Sequence, residues 1–122
     1  MKKILLIEDE SALQKTLGEV LSQAGYEIAS ALDGEIGLRM AREINPNLIL
    51  LDLILPKLHG FEVLKKLKEG EETRDVPVII LTNLESMTDI EKAIELGAKG
   101  YLVKAQYSLE EIVQKIKEIL PE

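Results

Sequence analysis

Three short runs in this chain are apolar at every position: "ILLI" at 4–7, "LILL" at 48–51 and "VIIL" at 78–81. A strand with one wet face alternates apolar with polar residues. Unbroken apolar runs therefore predict strands covered on both faces, as at the centre of a parallel sheet. Between the runs the period changes. Leu13, Leu17, Val20 and Leu21 make a helical stripe over 11–24, with Ser11 as its expected cap and Gly25 as its end. Ile36, Leu38 and Met40 carry the pattern over 33–44, and further helices are predicted over 60–68, about 88–96 and 108–120. The last has Glu111 three residues after Ser108, the spacing of a capping box, and Gly97 closes the fourth. "YEIASA" (26–31), "VPVIILT" (76–82) and "GYLVK" (100–104) complete the strands, and "EGEETRD" (69–75) reads as a solvated loop. Strands alternate with helices without a linker or a low-complexity segment. This predicts one α/β domain over 1–122, with right-handed crossovers laying helices on both faces of one sheet.

Composition narrows the function. The chain has 22 acidic and 15 basic residues, a net charge of −7, which argues against a broad basic face for nucleic acid. One Phe, three Tyr and no Trp give no base-stacking platform. No apolar run approaches the roughly 18 residues of a membrane span, and the N-terminus turns acidic too soon for a secretory signal. Cysteine is absent, which excludes disulfides and thiolate chemistry and agrees with a cytoplasmic setting.

In an open parallel sheet the carboxyl ends of the strands share one edge, where ligands bind near the topological switch point. Here strand 1 ends in Glu8 and Asp9, strand 3 in Asp52, strand 4 in Thr82 and strand 5 in Lys104, while strand 2 offers only Ser30. Each residue alone has an ordinary explanation as a turn, cap or strand-end hydroxyl. Together they are three carboxylates, a hydroxyl and an ammonium. Crowded carboxylates resist ionising without a counter-charge, and Mg²⁺ with oxygen ligands supplies one. That cation, with Lys104 as a point charge and Thr82 as a donor, suits charge on a transferring phosphoryl group, with Asp52 as the central candidate nucleophile.

The same residues resemble a known family. "LLIEDE" (Glu8, Asp9), "LLDLILPKLHG" (Asp52, Pro56, Gly60), "VPVIILTN" (Pro77, Thr82) and "GYLVKA" (Tyr101, Lys104) occur in the order and spacing of the receiver domain of two-component response regulators. The resemblance covers nearly the whole chain. It implies a flavodoxin-like (βα)5 fold with strand order 2-1-3-4-5. It implies that Asp52 accepts a phosphoryl group from a histidine kinase or histidine phosphotransfer protein. It implies that Glu8, Asp9, Asp52 and the backbone carbonyl of Ile54 bind Mg²⁺, and that Thr82 and Lys104 contact the acyl phosphate. Tyr101 would turn inward as Thr82 moves, altering the face made by the helix over about 88–96, the strand at 100–104 and the helix over 108–120, through which a downstream protein is engaged.

Three departures from the family pattern stand out. Ala105 replaces the proline that usually follows the lysine, which predicts a trans Lys104–Ala105 bond. Asn83 replaces a small residue after Thr82, and Leu55 replaces a methionine before Pro56. Ile90, Ala93, Tyr101 and the outer residues of the last helix are candidates for the signalling surface. His59, with no second histidine or cysteine, reads as a surface or capping residue. Three alternatives remain. A non-catalytic receiver-like scaffold would lack the aspartate or lysine. A small flavodoxin-like cofactor binder is opposed by "EDESA" after strand 1 and by the lack of a Gly-rich phosphate loop. A Mg²⁺-dependent phosphatase using Asp52 would need a substrate-recognising cap.

Overall fold

The computed structural model describes residues 1–121. Its elements are β1 (Lys3–Ile7), α1 (Ser11–Gln23), β2 (Glu27–Ala31), α2 (Gly34–Ile44), β3 (Leu48–Leu51), α3 (Gly60–Glu69), β4 (Val78–Thr82), α4 (Met87–Glu95), β5 (Gly100–Val103) and α5 (Leu109–Ile119). The strands form one sheet in the order β2-β1-β3-β4-β5, with every neighbouring pair parallel. This is the flavodoxin-like (βα)5 arrangement, and its topological switch point lies between β1 and β3.

The apolar runs are explained by the pleat. Leu5, Ile7, Ile49, Leu51 and Ile80 face a core completed by α2, α3 and α4 through Ala41, Val63, Leu64 and Ala93. The intervening Ile4, Leu6, Leu48, Leu50 and Ile79 face a second core, filled by Leu17 and Leu21 of α1 and Ile112 and Ile116 of α5. Each of these side chains is almost fully buried and contributes about 1.5–3 kcal/mol. A polar residue in the middle of these strands would sacrifice that on either side.

Local details depart from the sequence pattern in four places. Ser11 is the first residue of α1 rather than its cap; the cap position is Glu10, which makes no side-chain capping bond. Glu10 is drawn instead toward the sheet end, where its N–H donates to Glu8 Oε2 at 3.0 Å. In α2 the deepest face is Gly34, Gly37, Leu38 and Ala41, while Ile36 and Met40 are half-buried beside it. The glycines let this helix lie close: a Cβ on Gly37 would stand 2.6 Å from Ile7 Cδ1. Thr73, in the expected solvated loop, is 1 % exposed, and its hydroxyl donates to the Leu67 carbonyl at 2.6 Å. Ala93, on the inner face of α4, is fully buried and cannot belong to a partner surface; Ile94 beside it is exposed.

Other expectations hold. Ser108 and Glu111 form the reciprocal capping box of α5. His59 caps α3, its Nδ1 accepting from the Phe61 N–H at 3.1 Å. The strand expected over 76–82 instead begins at Val78: Pro77 falls outside β4 because it has no N–H to donate, although its carbonyl still accepts from Ile49 N–H. Among the described residues there are no cis peptide bonds, so Lys104–Ala105 is trans. Residues 104–106 form a short 3₁₀ turn leading out of β5. No described helix is long and apolar enough to cross a membrane.

Candidate functional site

Asp52 is the first residue beyond β3, yet its N–H still donates to the Ile7 carbonyl, extending the ladder by one step. The backbone therefore holds Asp52 beside the end of β1, and the residue is only 5 % exposed. Glu8, the residue after Ile7, is held in turn by its N–H to the Ala31 carbonyl and is 1 % exposed. Two carboxylates are thus buried side by side at the switch point. Burial of that kind demands a counter-charge.

Lys104 supplies it. Its ammonium lies 2.8 Å from Glu8 Oε1 and 2.8 Å from Asp52 Oδ2, and 3.5 Å from Glu10 Oε1. Burial alone would lower the lysine pKa, but the hydrogen bonds and charges of Asp52 and Glu8 hold it above the usual range. Burial also pushes the Glu8 carboxyl above its ordinary value. The Lys104 and Glu10 N–H bonds work against that rise, and the Asp52 charge adds to it. The remaining Asp52 oxygen, Oδ1, accepts from the Ile54 N–H at 3.3 Å. Every buried side-chain N or O atom among the described residues has a hydrogen-bond partner.

Asp9 is exposed, but its carboxylate joins those of Glu8 and Asp52: one oxygen from each lies within 4.8 Å of the others. An all-carboxylate oxygen set is what hard divalent cations take, so the cluster is fitted to hold one. These groups open into a cavity of about 390 Å³ lined by Asp9, Glu10, Asp52, Ile54, Thr82, Asn83 and Lys104. Thr82 is fully buried at the end of β4, and its Oγ1 accepts from Leu84 N–H at 3.5 Å. The Tyr101 hydroxyl donates to the Leu84 carbonyl at 2.8 Å. Burial pushes that phenol up to about 12, with the charges of Asp89 and Asp52 adding to the rise. Thr82 and Tyr101 therefore meet on opposite polar groups of one residue, Leu84.

The sheet end brings together Glu8, Asp9, Asp52, Ile54, Thr82 and Lys104, with Tyr101 linked through Leu84. Sequence reasoning missed two others. Glu10 is a fourth carboxylate at the site, 3.5 Å from Lys104. It stood in the quoted "LLIEDE", but only the turn out of β1 reveals its direction. Gln14 bridges the Glu8 and Ala31 carbonyls, at 3.0 Å each, and so ties α1 to the loop bearing the acidic pair. Its position on the inner flank of α1 carried no signal of that role.

A family model described as the response regulator receiver domain matches residues 4–117. The chain is 38% identical over 120 residues to the DNA-binding dual master transcriptional regulator RpaA of Synechocystis sp., covering 98% of this chain and 49% of that protein. It is 40% identical over 119 residues to the probable transcriptional regulator ycf27 of Porphyridium aerugineum, covering 98% and 48%. The chain therefore spans about half the length of these curated relatives. Among solved structures it resembles the chemotaxis protein CheY4 of Vibrio cholerae, with a TM-score of 0.91, 28% identity, and 98% and 99% of the two chains covered. It also resembles the Mn(2+)-bound form of response regulator Rcp1, with a TM-score of 0.85, 35% identity, and 100% and 96% covered. The buried carboxylates and lysine form the acidic and basic cluster typical of a receiver phosphorylation and metal site. A match running from β1 into α5, on a sheet of this order, makes the chain a member of the response regulator receiver domain family.

Proposed function

We propose that residues 1–122 act as a receiver module whose Asp52 takes a phosphoryl group from a phosphohistidine on a histidine kinase or phosphotransfer protein. In that transfer an Asp52 carboxylate oxygen forms the new O–P bond. The P–N bond breaks, and its electron pair returns to the imidazole, which takes up a proton. Mg²⁺ is the expected divalent cation, held by Glu8, Asp9, Asp52 and the Ile54 carbonyl, and it would neutralise charge on the phosphoryl oxygens. Lys104 is within reach of both parties: releasing Asp52 Oδ2 frees its ammonium for a phosphoryl oxygen. Thr82 can turn its hydroxyl from the Leu84 N–H to that phosphate. Tyr101 would read this change through Leu84 and so alter the face made by α4, β5 and α5.

The observation that carries this reading is the bridging of two buried carboxylates by Lys104, at 2.8 Å each, beside an open cavity. A purely structural ion pair would need one carboxylate, not a cluster of carboxylates beside a buried hydroxyl. Excess negative charge is useful where a cation and a phosphoryl group are to be received. The reading places the reaction in the cytoplasm, where phosphohistidine donors and free Mg²⁺ meet. The downstream target is a protein recognised by the altered face.

The test is intact mass after incubation with acetyl phosphate or phosphoramidate, with and without Mg²⁺, for the natural protein and Asp52→Asn. A Mg²⁺-dependent gain of one phosphoryl group that Asp52→Asn abolishes is the expected result. No gain from any donor would favour the scaffold reading, in which this domain binds partners without being phosphorylated.

A further inference from the structure

The end of β1 is completed by a side chain from α1. Glu8 N–H donates to the Ala31 carbonyl at 3.0 Å, the last rung between β1 and β2. In a parallel pair the donors on one strand come at every second residue, and on β2 they start with Glu27 N–H to the Lys2 carbonyl. The rung after Ala31 would therefore run from Asp33 N–H to the Glu8 carbonyl. Asp33 has instead turned to cap α2, its side chain accepting from Ile36 N–H at 2.8 Å. The Gln14 carboxamide supplies the donor: its Nε2 lies 3.0 Å from the Glu8 carbonyl and 3.0 Å from the Ala31 carbonyl.

Gln14 also holds the chain on the other side of Asp9. Its N–H donates to the Glu10 carbonyl at 3.0 Å, the first helical bond of α1. Asp9 thus lies between two carbonyls that both accept from Gln14, one from the side chain and one from the backbone. The Asp9 carboxylate has no restraint of its own. It is exposed and, among the described residues, makes no hydrogen bond or ion pair. Glu8 and Asp52 are each fixed by Lys104 at 2.8 Å. Of the three carboxylates in the cluster, Asp9 alone depends on its backbone for its direction.

We propose that Gln14 is a positioning residue for the divalent cation: it fixes the peptide joining Glu8 to Asp9 and so aims the Asp9 carboxylate at the site shared with Glu8 and Asp52. The inference rests on the reading of that cluster as a cation site. Without the carboxamide bonds Asp9 samples more directions, and a cation must restrain it on binding, which lowers affinity. Gln14 does not reach the phosphoryl group, so it acts on cation affinity and leaves the transfer step alone.

The test measures Mn²⁺ binding to the intact chain by electron paramagnetic resonance, and the Mg²⁺ dependence of phosphorylation by acetyl phosphate. It compares the natural protein with Gln14→Met, Gln14→Asn and Thr73→Val. Gln14→Met keeps the length without a donor, and Gln14→Asn keeps the carboxamide without its reach. Both should weaken Mn²⁺ binding about tenfold, the lower end for residues that orient a metal ligand. The Mg²⁺ concentration giving half-maximal phosphorylation should rise by a similar factor, while the rate at saturating Mg²⁺ stays within about twofold. Thr73→Val also loses a buried hydrogen bond, but in the loop before β4 at the other end of the sheet, and should leave both readings unchanged. Unchanged Mn²⁺ affinity in the Gln14 variants overturns the proposal. So does a rate loss that saturating Mg²⁺ does not restore, or an equal loss of affinity in Thr73→Val. A natural chain that binds no Mn²⁺ overturns the cation reading and this inference with it. Weakened Mn²⁺ binding in both Gln14 variants of a chain that acetyl phosphate never phosphorylates upholds the inference and overturns only the phosphoacceptor reading.

Discussion

Replacing Lys104 with methionine removes a charge while keeping a side chain of similar length, and the structure sets the size of the effect. Glu8 and Asp52 are 1 % and 5 % exposed, and each has an oxygen 2.8 Å from the Lys104 ammonium. Water from the cavity that Asp52 and Lys104 line can enter the vacated position, but it carries no charge to neutralise the carboxylates. Removing one partner of a buried, hydrogen-bonded charge pair costs about 3–5 kcal/mol, most of it the uncompensated charge left behind. Here two carboxylates are left, so the loss should lie in that range despite the partial access through the cavity. For a domain of this size it corresponds to roughly 12–20 °C in melting temperature. Urea unfolding in EDTA measures it. Added Mg²⁺ should then stabilise Lys104→Met more than the natural protein, because no ammonium competes for the carboxylates. Asp52→Asn in the Lys104→Met background should recover part of the loss by removing one of the stranded charges. The reasoning is refuted if Lys104→Met costs less than about 1 kcal/mol, or if Mg²⁺ stabilises both proteins equally.

Other consequences follow from single contacts. Tyr101→Phe removes the bond to the Leu84 carbonyl and should cost about 1 kcal/mol at neutral pH, read by urea unfolding. The phenol is raised from 10.0 to about 12 in the folded protein, so its contribution is complete below pH 10 and is lost as pH rises through about 12. A tyrosinate absorbance titration of the natural protein minus Tyr101→Phe should show that late step, and a step near the ordinary tyrosine value would contradict the burial. Gly60→Ala would press a Cβ against Leu53 Cα and the Asp52 carbonyl, both backbone atoms. It should destabilise by about 1–3 kcal/mol and slow phosphorylation of Asp52 by moving it, whereas a normal rate would show that the loop yields freely. Thr73→Val should cost about 1 kcal/mol by removing one of two hydrogen bonds to the Leu67 carbonyl, which keeps the Gly70 N–H at 3.4 Å, and unfolding at unchanged slope would confirm a local loss.

The architecture was legible because its main signal is redundant. Residues 4–7, 48–51 and 78–81 are apolar on both faces of the pleat, and only a sheet covered by two helix layers satisfies that pattern. Once the strands are parallel, their carboxyl ends must share an edge, so Glu8, Asp9, Asp52, Thr82 and Lys104 converge without any further information. What stayed hidden depends on direction and close approach rather than on residue type. Glycines at 34 and 37 carry no hydrophobic signal, yet Gly37 meets Ile7 of the sheet and Gly34 meets Leu58 and Val63, and the stripe expected from Ile36 and Met40 sits beside them. Thr73 reads as polar, but one hydroxyl bond to Leu67 lets it be buried.

Glu10 and Ser11 show the same limit in sharper form. Serine is the better cap by type, yet the chain turns so that Glu10 holds the cap position. There its N–H serves Glu8 Oε2, and its carboxylate approaches Lys104. The helix start forgoes a side-chain cap, a sacrifice of about 1 kcal/mol, and the sheet end gains a backbone bond to a buried carboxylate. Local preference yields where the buried charges at the end of β1 have more to lose, and those charges are the part of the molecule on which its chemistry rests.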